Sequence, residues 1–90
     1  MTRKPIGEAE RLHGERLGRI LAERRQAARL SAGEIARSSD VSLDAVRSLE
    51  NGRVPTPAFL TVARLAVALG LSLDELHAQA SWPTATAERQ

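Results

Sequence analysis

Four side chains in the stretch Leu43-Asp44-Ala45-Val46-Arg47-Ser48-Leu49-Glu50 are of types that can read a base pair. If Val46 and Leu49 turn inward on a helix, Leu43, Asp44, Arg47 and Ser48 turn outward at i, i+1, i+4 and i+5. Arg47 can bond guanine O6 and N7, Ser48 can donate or accept, Asp44 can accept from cytosine N4, and Leu43 can lie on a thymine methyl. Asp44 also has a local use, because a carboxylate in the first turn of a helix is favoured by the dipole by up to about 1 kcal/mol. Leu43 fits a protein-facing patch as well as a methyl contact. Around this strip, phosphates would be met by the amides that open the preceding helix, near Ser31 and Ala32, and by Asn51 and Arg53 beyond its end.

The elements that must hold the strip are read from start and stop signals. Leu17, Ile20, Leu21 and Ala28 share a face at helical spacing and predict a long first helix over 8–28, whose first half Gly14 and Gly18 weaken by about 1 kcal/mol each. Ser31 followed by Glu34 is a capping-box pattern and starts a second helix, which ends at Ser38-Ser39-Asp40. Ser42 caps a third helix over 43–50, stopped by Asn51-Gly52. Thr56 then serves as a cap before Pro57 in the first helical position, and the fourth helix buries Phe59, Val62, Ala63, Ala66 and Leu69 before Gly70. Ser72 to Glu75 repeats the capping-box pattern ahead of a fifth helix through about Gln79, and Ser81-Trp82-Pro83 ends it. The resulting division is a flexible basic arm at 1–7, one domain at 8–80 and a tail at 81–90.

Composition agrees with an all-α fold. In 90 residues there is room for one small core, and 2% aromatics with few Val and Ile disfavour strands. The absence of cysteine excludes a disulfide framework and thiolate-bound zinc. No stretch approaches the roughly 18 apolar residues of a membrane span and no signal-peptide core is present, so a soluble cytoplasmic protein is expected. The net charge is only +2 despite a pI near 10.4. Eight basic residues against four acidic ones lie in 1–29, whereas 40–53 carries Asp40, Asp44 and Glu50 against Arg47 and Arg53. His13 and His77 stand far apart without further ligands nearby, so both are expected at the surface or at helix ends with no metal site. No nucleophile with a base and no phosphate-binding glycine loop appears, and capping explains Asp74-Glu75, so neither an enzyme nor a cofactor is expected.

Two short helices joined by a tight turn suggest a helix-turn-helix, and the residues sharpen this. The run Leu30-Ser31-Ala32-Gly33-Glu34-Ile35-Ala36, then Val41-Ser42, Val46 to Gly52, Pro57, and Leu65-Ala66-Val67-Ala68-Leu69-Gly70-Leu71-Ser72-Leu73-Asp74-Glu75-Leu76 resembles the phage repressor and Cro family, also called the xenobiotic-response-element family. The resemblance covers about residues 15 to 77. It implies a five-helix lambda-repressor-like bundle with an extended N-terminal helix, binding operator double-stranded DNA as a homodimer to repress or activate transcription. It also implies that Arg25 and Glu50 bridge the first helix to the end of the third, the alternative being two solvated side chains. The chain departs from the family at Leu43, Asp44 and Ala32, where relatives often carry Gln or Arg. A palindromic operator would follow from two reading helices about 34 Å apart. Leu73, Leu76, Trp82 and the outer side of the fourth helix are candidates for the dimer face, while Trp82 covering its own core is the other use open to it. Arg3 and Lys4 can reach the backbone or minor groove, or remain a solvated tail. The competing function is a protein-interaction module on the same fold, antitoxin-like or a developmental partner, that meets another protein through Leu43 and Asp44.

Overall fold

The computed structural model describes residues 7–81. Five helices follow one another: α1 (Glu8–Ala27), α2 (Ala32–Ser39), α3 (Leu43–Glu50), α4 (Phe59–Leu69) and α5 (Leu73–Ser81). The fold is all-α, a small helix-turn-helix bundle with no strand among the described residues. The arm residues Arg3 and Lys4 and the tail residue Trp82 lie outside the described residues, while Gly7 caps α1 and Ser81 closes α5.

Local chemistry starts the helices. Ser31 Oγ accepts from the Glu34 amide at 3.0 Å, and the Glu34 carboxylate accepts from the Ser31 amide at 2.7 Å. Hydrogen bonds donated to it by Ser31, from the backbone amide first and then from the side chain, hold the Glu34 carboxyl below its ordinary range. Ser42 Oγ accepts from the Ala45 amide at 3.1 Å, and Ser72 Oγ accepts from the Glu75 amide at 3.3 Å. The fourth helix departs from expectation. Ala58, not Thr56, is its N-cap, it has no side-chain cap, and Pro57 lies outside the helix.

One device ends four of the helices. A residue in the left-handed region, Arg29, Asp40, Gly52 or Gly70, turns the chain. The next amide then closes back on the helix: Leu30 to the Arg25 carbonyl, Val41 to Ala36, Arg53 to Ser48, and Leu71 to Ala66, at 2.8–3.1 Å. Glycine adopts this conformation freely, but for a residue with a Cβ it costs about 1 kcal/mol. Arg29 is exposed, so Arg29→Gly should raise stability by up to about 1 kcal/mol, seen as a rise of a few degrees in the thermal midpoint. An unchanged or lower midpoint would show that the arginine side chain offsets the strain.

The core is built from Leu17, Leu21, Ile35, Ala36, Val46, Leu49, Leu65, Ala66, Leu76 and Ala80. α1 is its spine, packing on α3 and α5, while α2 packs on α3 and α4. Ala28 is not on the inward face of α1. It is the exposed residue just past the last turn. On α4, Leu65 and Ala66 are fully buried, and Val62, Ala63 and Leu69 are half-buried. Phe59 is 72% exposed rather than core. Because α4 starts two residues later than the Thr-Pro signal predicts, Phe59 is its first residue and lies at the edge of a groove against Pro55, Leu17 and Leu76. Leu73 also stays exposed, and Leu76 alone of the two expected dimer-face leucines is in the core.

The two histidines are not separate surface groups. α1 and α5 run side by side, with Arg16 Nε donating to the Ala80 carbonyl at 2.7 Å, and they bring the His13 and His77 ring centroids to 5.5 Å. His77 is exposed, but His13 Nε2 is buried without a hydrogen-bond partner. Burial first, then the neighbouring His77 and Arg16, holds the His13 pKa below the ordinary histidine value. Among the described residues, no helix is long and apolar enough to cross a membrane.

Candidate nucleic-acid interface

α2 and α3 form one rigid pair because their facing sides are small and apolar. Ile35 and Ala36 on α2 meet Val46 and Leu49 on α3, each of them 6% exposed or less. The buried Ser39 hydroxyl donates to the Ile35 carbonyl at 2.6 Å, so no polar atom of that side chain is left unpaired where α2 ends. Asp40 in the left-handed region and the Ser42 cap then turn the chain into α3. Arg64 on α4 also donates to the Asp40 carbonyl, tying the turn to the helix behind it.

Two further contacts orient α3. The first is ionic: Arg25 Nε and Nη2 meet the two oxygens of Glu50 at 2.8 and 3.0 Å. Arg25 Nη1 donates to the Leu30 carbonyl at 2.7 Å, so the guanidinium joins α1, the loop before α2 and the last residue of α3. Side-chain exposures of 14% and 13% place the pair largely out of water.

The second contact is steric. Gly14 and Gly18, which by propensity weaken α1, lie inside its ordered body and are buried. A Cβ on Gly18 would overlap the Leu49 carbonyl oxygen, and one on Gly14 would come within 2.6 Å of the Val54 carbonyl oxygen. These glycines let the backbone of α1 touch the end of α3 and the loop beyond it. Helix propensity alone cannot show this, because the partner backbone is more than 30 residues away in sequence.

On the far side, α3 presents the strip. Leu43 is 37% exposed, Asp44 and Arg47 are exposed, and Ser48 is half-buried. Among the described residues, Arg47 has no ion-pair partner. Asn51 is the last-turn cap of α3, with its amide donating to the Arg47 carbonyl and its side chain exposed. The side chain of Arg53 is also exposed. At the start of α2 the arrangement is more restricted than free amides would be. The Ser31 amide is taken by Glu34, whose carboxylate brings a negative charge to this helix end. The amides of Ala32 and Gly33 are those left to meet an anion.

One cation beside the strip escaped the sequence reading. Arg37 is exposed on α2 and lines a shallow concavity with Gly33, Asp40, Val41, Ser42 and Leu43. Its signal is a basic residue in the last turn of α2, on the side opposite Ile35 and Ala36. Arg37 thus lies beside Leu43 in this concavity, while Arg47 on α3 and Arg53 just beyond it are exposed. A family model described as a helix-turn-helix domain matches residues 16–79. No curated protein matches the chain.

Proposed function

Since the chain belongs to the helix-turn-helix domain family, a family of DNA-binding domains, we propose that it is a sequence-specific transcriptional regulator that reads the major groove with α3 as a homodimer on a palindromic operator. The observation that carries this reading is the α3 strip itself. Leu43, Asp44 and Arg47 stand in solvent while Val46 and Leu49 are sealed in the core and Glu50 is clamped to Arg25. In this reading Arg47 bonds a guanine, Ser48 and Asp44 read neighbouring edges, and Leu43 covers a thymine methyl. Asn51, Arg53, Arg37 and the Ala32 amide beside Ser31 hold phosphates. A single two-turn helix meets only a few base pairs, so a second copy supplies the other half-site. The Cro-like repressor kinship rests on the sequence run described above.

Selection of bound duplexes from a random pool, followed by titration across a salt series, tests the reading. A palindromic consensus is expected, with log affinity falling linearly against log salt. Arg47→Ala should cost about 1–3 kcal/mol and relax preference at one base position. Arg53→Ala should weaken all sequences alike and reduce the salt slope by about 1. Absence of binding at low salt would remove the proposal. It would favour the second reading, a protein-interaction module, which has its own observation in the exposed Leu43 beside Asp44.

A further inference from the structure

Three parts of the chain leave a groove of about 520 Å³ between them: α1, the loop before α4 with the start of that helix, and α5. Leu17 and Leu76 reach it from the core and Val62 is half-buried beside them, so its inner lining is apolar. Pro55 and Pro57 come from the loop, while Phe59 and Leu73 stand exposed around it. The volume falls within the range of about 300–1,000 Å³ typical of small-molecule sites, which are lined mostly by apolar and aromatic side chains. Apolar surface gathered around a concavity and left in water favours an occupant that covers it.

The charge on this lining has one sign. Glu10 and Asp74 are its charged side chains, and no Lys or Arg lines it, although the chain carries thirteen of them. Arg16 acts on His13 but donates to the Ala80 carbonyl and is not part of the groove wall. Burial first, with His77 and Arg16, holds the His13 pKa below the ordinary histidine value, so that ring adds no positive charge at pH 7. Helix dipoles account for acidic residues in the first turns of α1 and α5. They do not account for which acids face the groove, because Glu8 and Glu75 suit the dipoles equally and do not line it.

This pattern decides between occupants. A second copy docking here by two-fold symmetry would set the patch against itself and bring Glu10 and Asp74 of both copies onto one seam, like charge against like. A molecule with an apolar body and one positive charge satisfies both features: the body covers the lining, and the charge lies against a carboxylate at the exposed mouth. The exposed ring of Phe59 offers a further surface that attracts a cation. We propose that the groove binds small apolar cations, an aromatic or aliphatic body carrying an ammonium group, with Glu10 and Asp74 selecting the charge. The groove is lined by none of the residues that the DNA-reading proposal uses, so each stands or falls separately.

Titration of the full chain with naphthylmethylammonium, naphthylmethanol and naphthylacetate tests this, because the three share a body and differ in charge. The cation should bind one per chain with a dissociation constant of about 1 mM or tighter. It should bind about 3- to 10-fold more tightly than the alcohol, with the anion weakest. Amide NMR shifts should centre on the lining residues of α1, α4 and α5. Glu10 and Asp74 are exposed, and a glutamine at position 10 can still accept from the Gly7 amide. Glu10→Gln with Asp74→Asn should therefore fold as the parent does by circular dichroism. It should lower the cation to the affinity of the alcohol and leave the alcohol unchanged. Phe59→Ala should weaken both. Equal affinities for the three probes, no binding, or shifts away from the groove would overturn the proposal. So would a dimer in sedimentation that Phe59→Ala dissociates and that no probe displaces, which would give the groove to a second copy.

Discussion

Arg25→Met should destabilise the protein by about 3–5 kcal/mol, read as a lower urea midpoint at an unchanged slope. Met keeps most of the apolar stem, so the change isolates the charge and its hydrogen bonds. What remains is a Glu50 carboxylate 13% exposed, without the two bonds at 2.8 and 3.0 Å that compensate its burial. The Leu30 carbonyl loses its donor as well. A cost of that size is a large share of the stability of a small domain, so the variant would be partly unfolded well below the parent midpoint. Arg25→Lys should recover only part of the loss, because an ammonium cannot make both bonds of the fork. The double variant Arg25→Met with Glu50→Leu should be far less damaged than the single one, since it leaves no buried charge behind. An unchanged midpoint in Arg25→Met would show that the pair is energetically idle.

Gly18→Ala should cost about 3 kcal/mol, against the direction that helix propensity predicts. Alanine is worth about 1 kcal/mol more than glycine in a helix interior. The added methyl, however, falls on the Leu49 carbonyl oxygen and within 3.3 Å of the Glu50 Cα, and backbone cannot rotate aside as a side chain can. α1 must move away from the end of α3, which also stretches the Arg25–Glu50 clamp. Affinity for DNA should therefore fall in the fraction that still folds, because the strip is re-aimed. Gly33→Ala is the matching control. Its methyl would have no neighbour closer than 3.7 Å, so the propensity gain should appear as a small rise in stability. Equal and positive effects at both glycines would mean that the α1–α3 approach is looser than described.

The helix starts and stops are legible in the sequence because they are short-range. Ser31 and Glu34, or Ser42 and Ala45, need only one turn of chain to find each other. Asn51-Gly52 and Gly70 supply left-handed residues where the chain must turn. Arg29 does the same work without a sequence signal, since arginine is an ordinary helix residue and the closure of Leu30 onto Arg25 is what holds it there. The outward strip of α3 is legible for a related reason: Val46 and Leu49 at helical spacing determine which side is left for solvent.

What the sequence determined by itself was therefore the order and type of the helices, the serine caps of α2, α3 and α5 but not the start of α4, and the exposed side of α3, all set by bonds or periodicities spanning a few residues. Tertiary structure alone decided that Gly14 and Gly18 are contact points and that His13 faces His77. It also decided that Phe59 rims a groove instead of filling the core, and which of the two readings open for Arg25 and Glu50 holds: they pair, with side chains largely out of water. In each of these, the partner lies on another helix or loop, and closeness depends on how the helices pack, a quantity that local spacing does not contain.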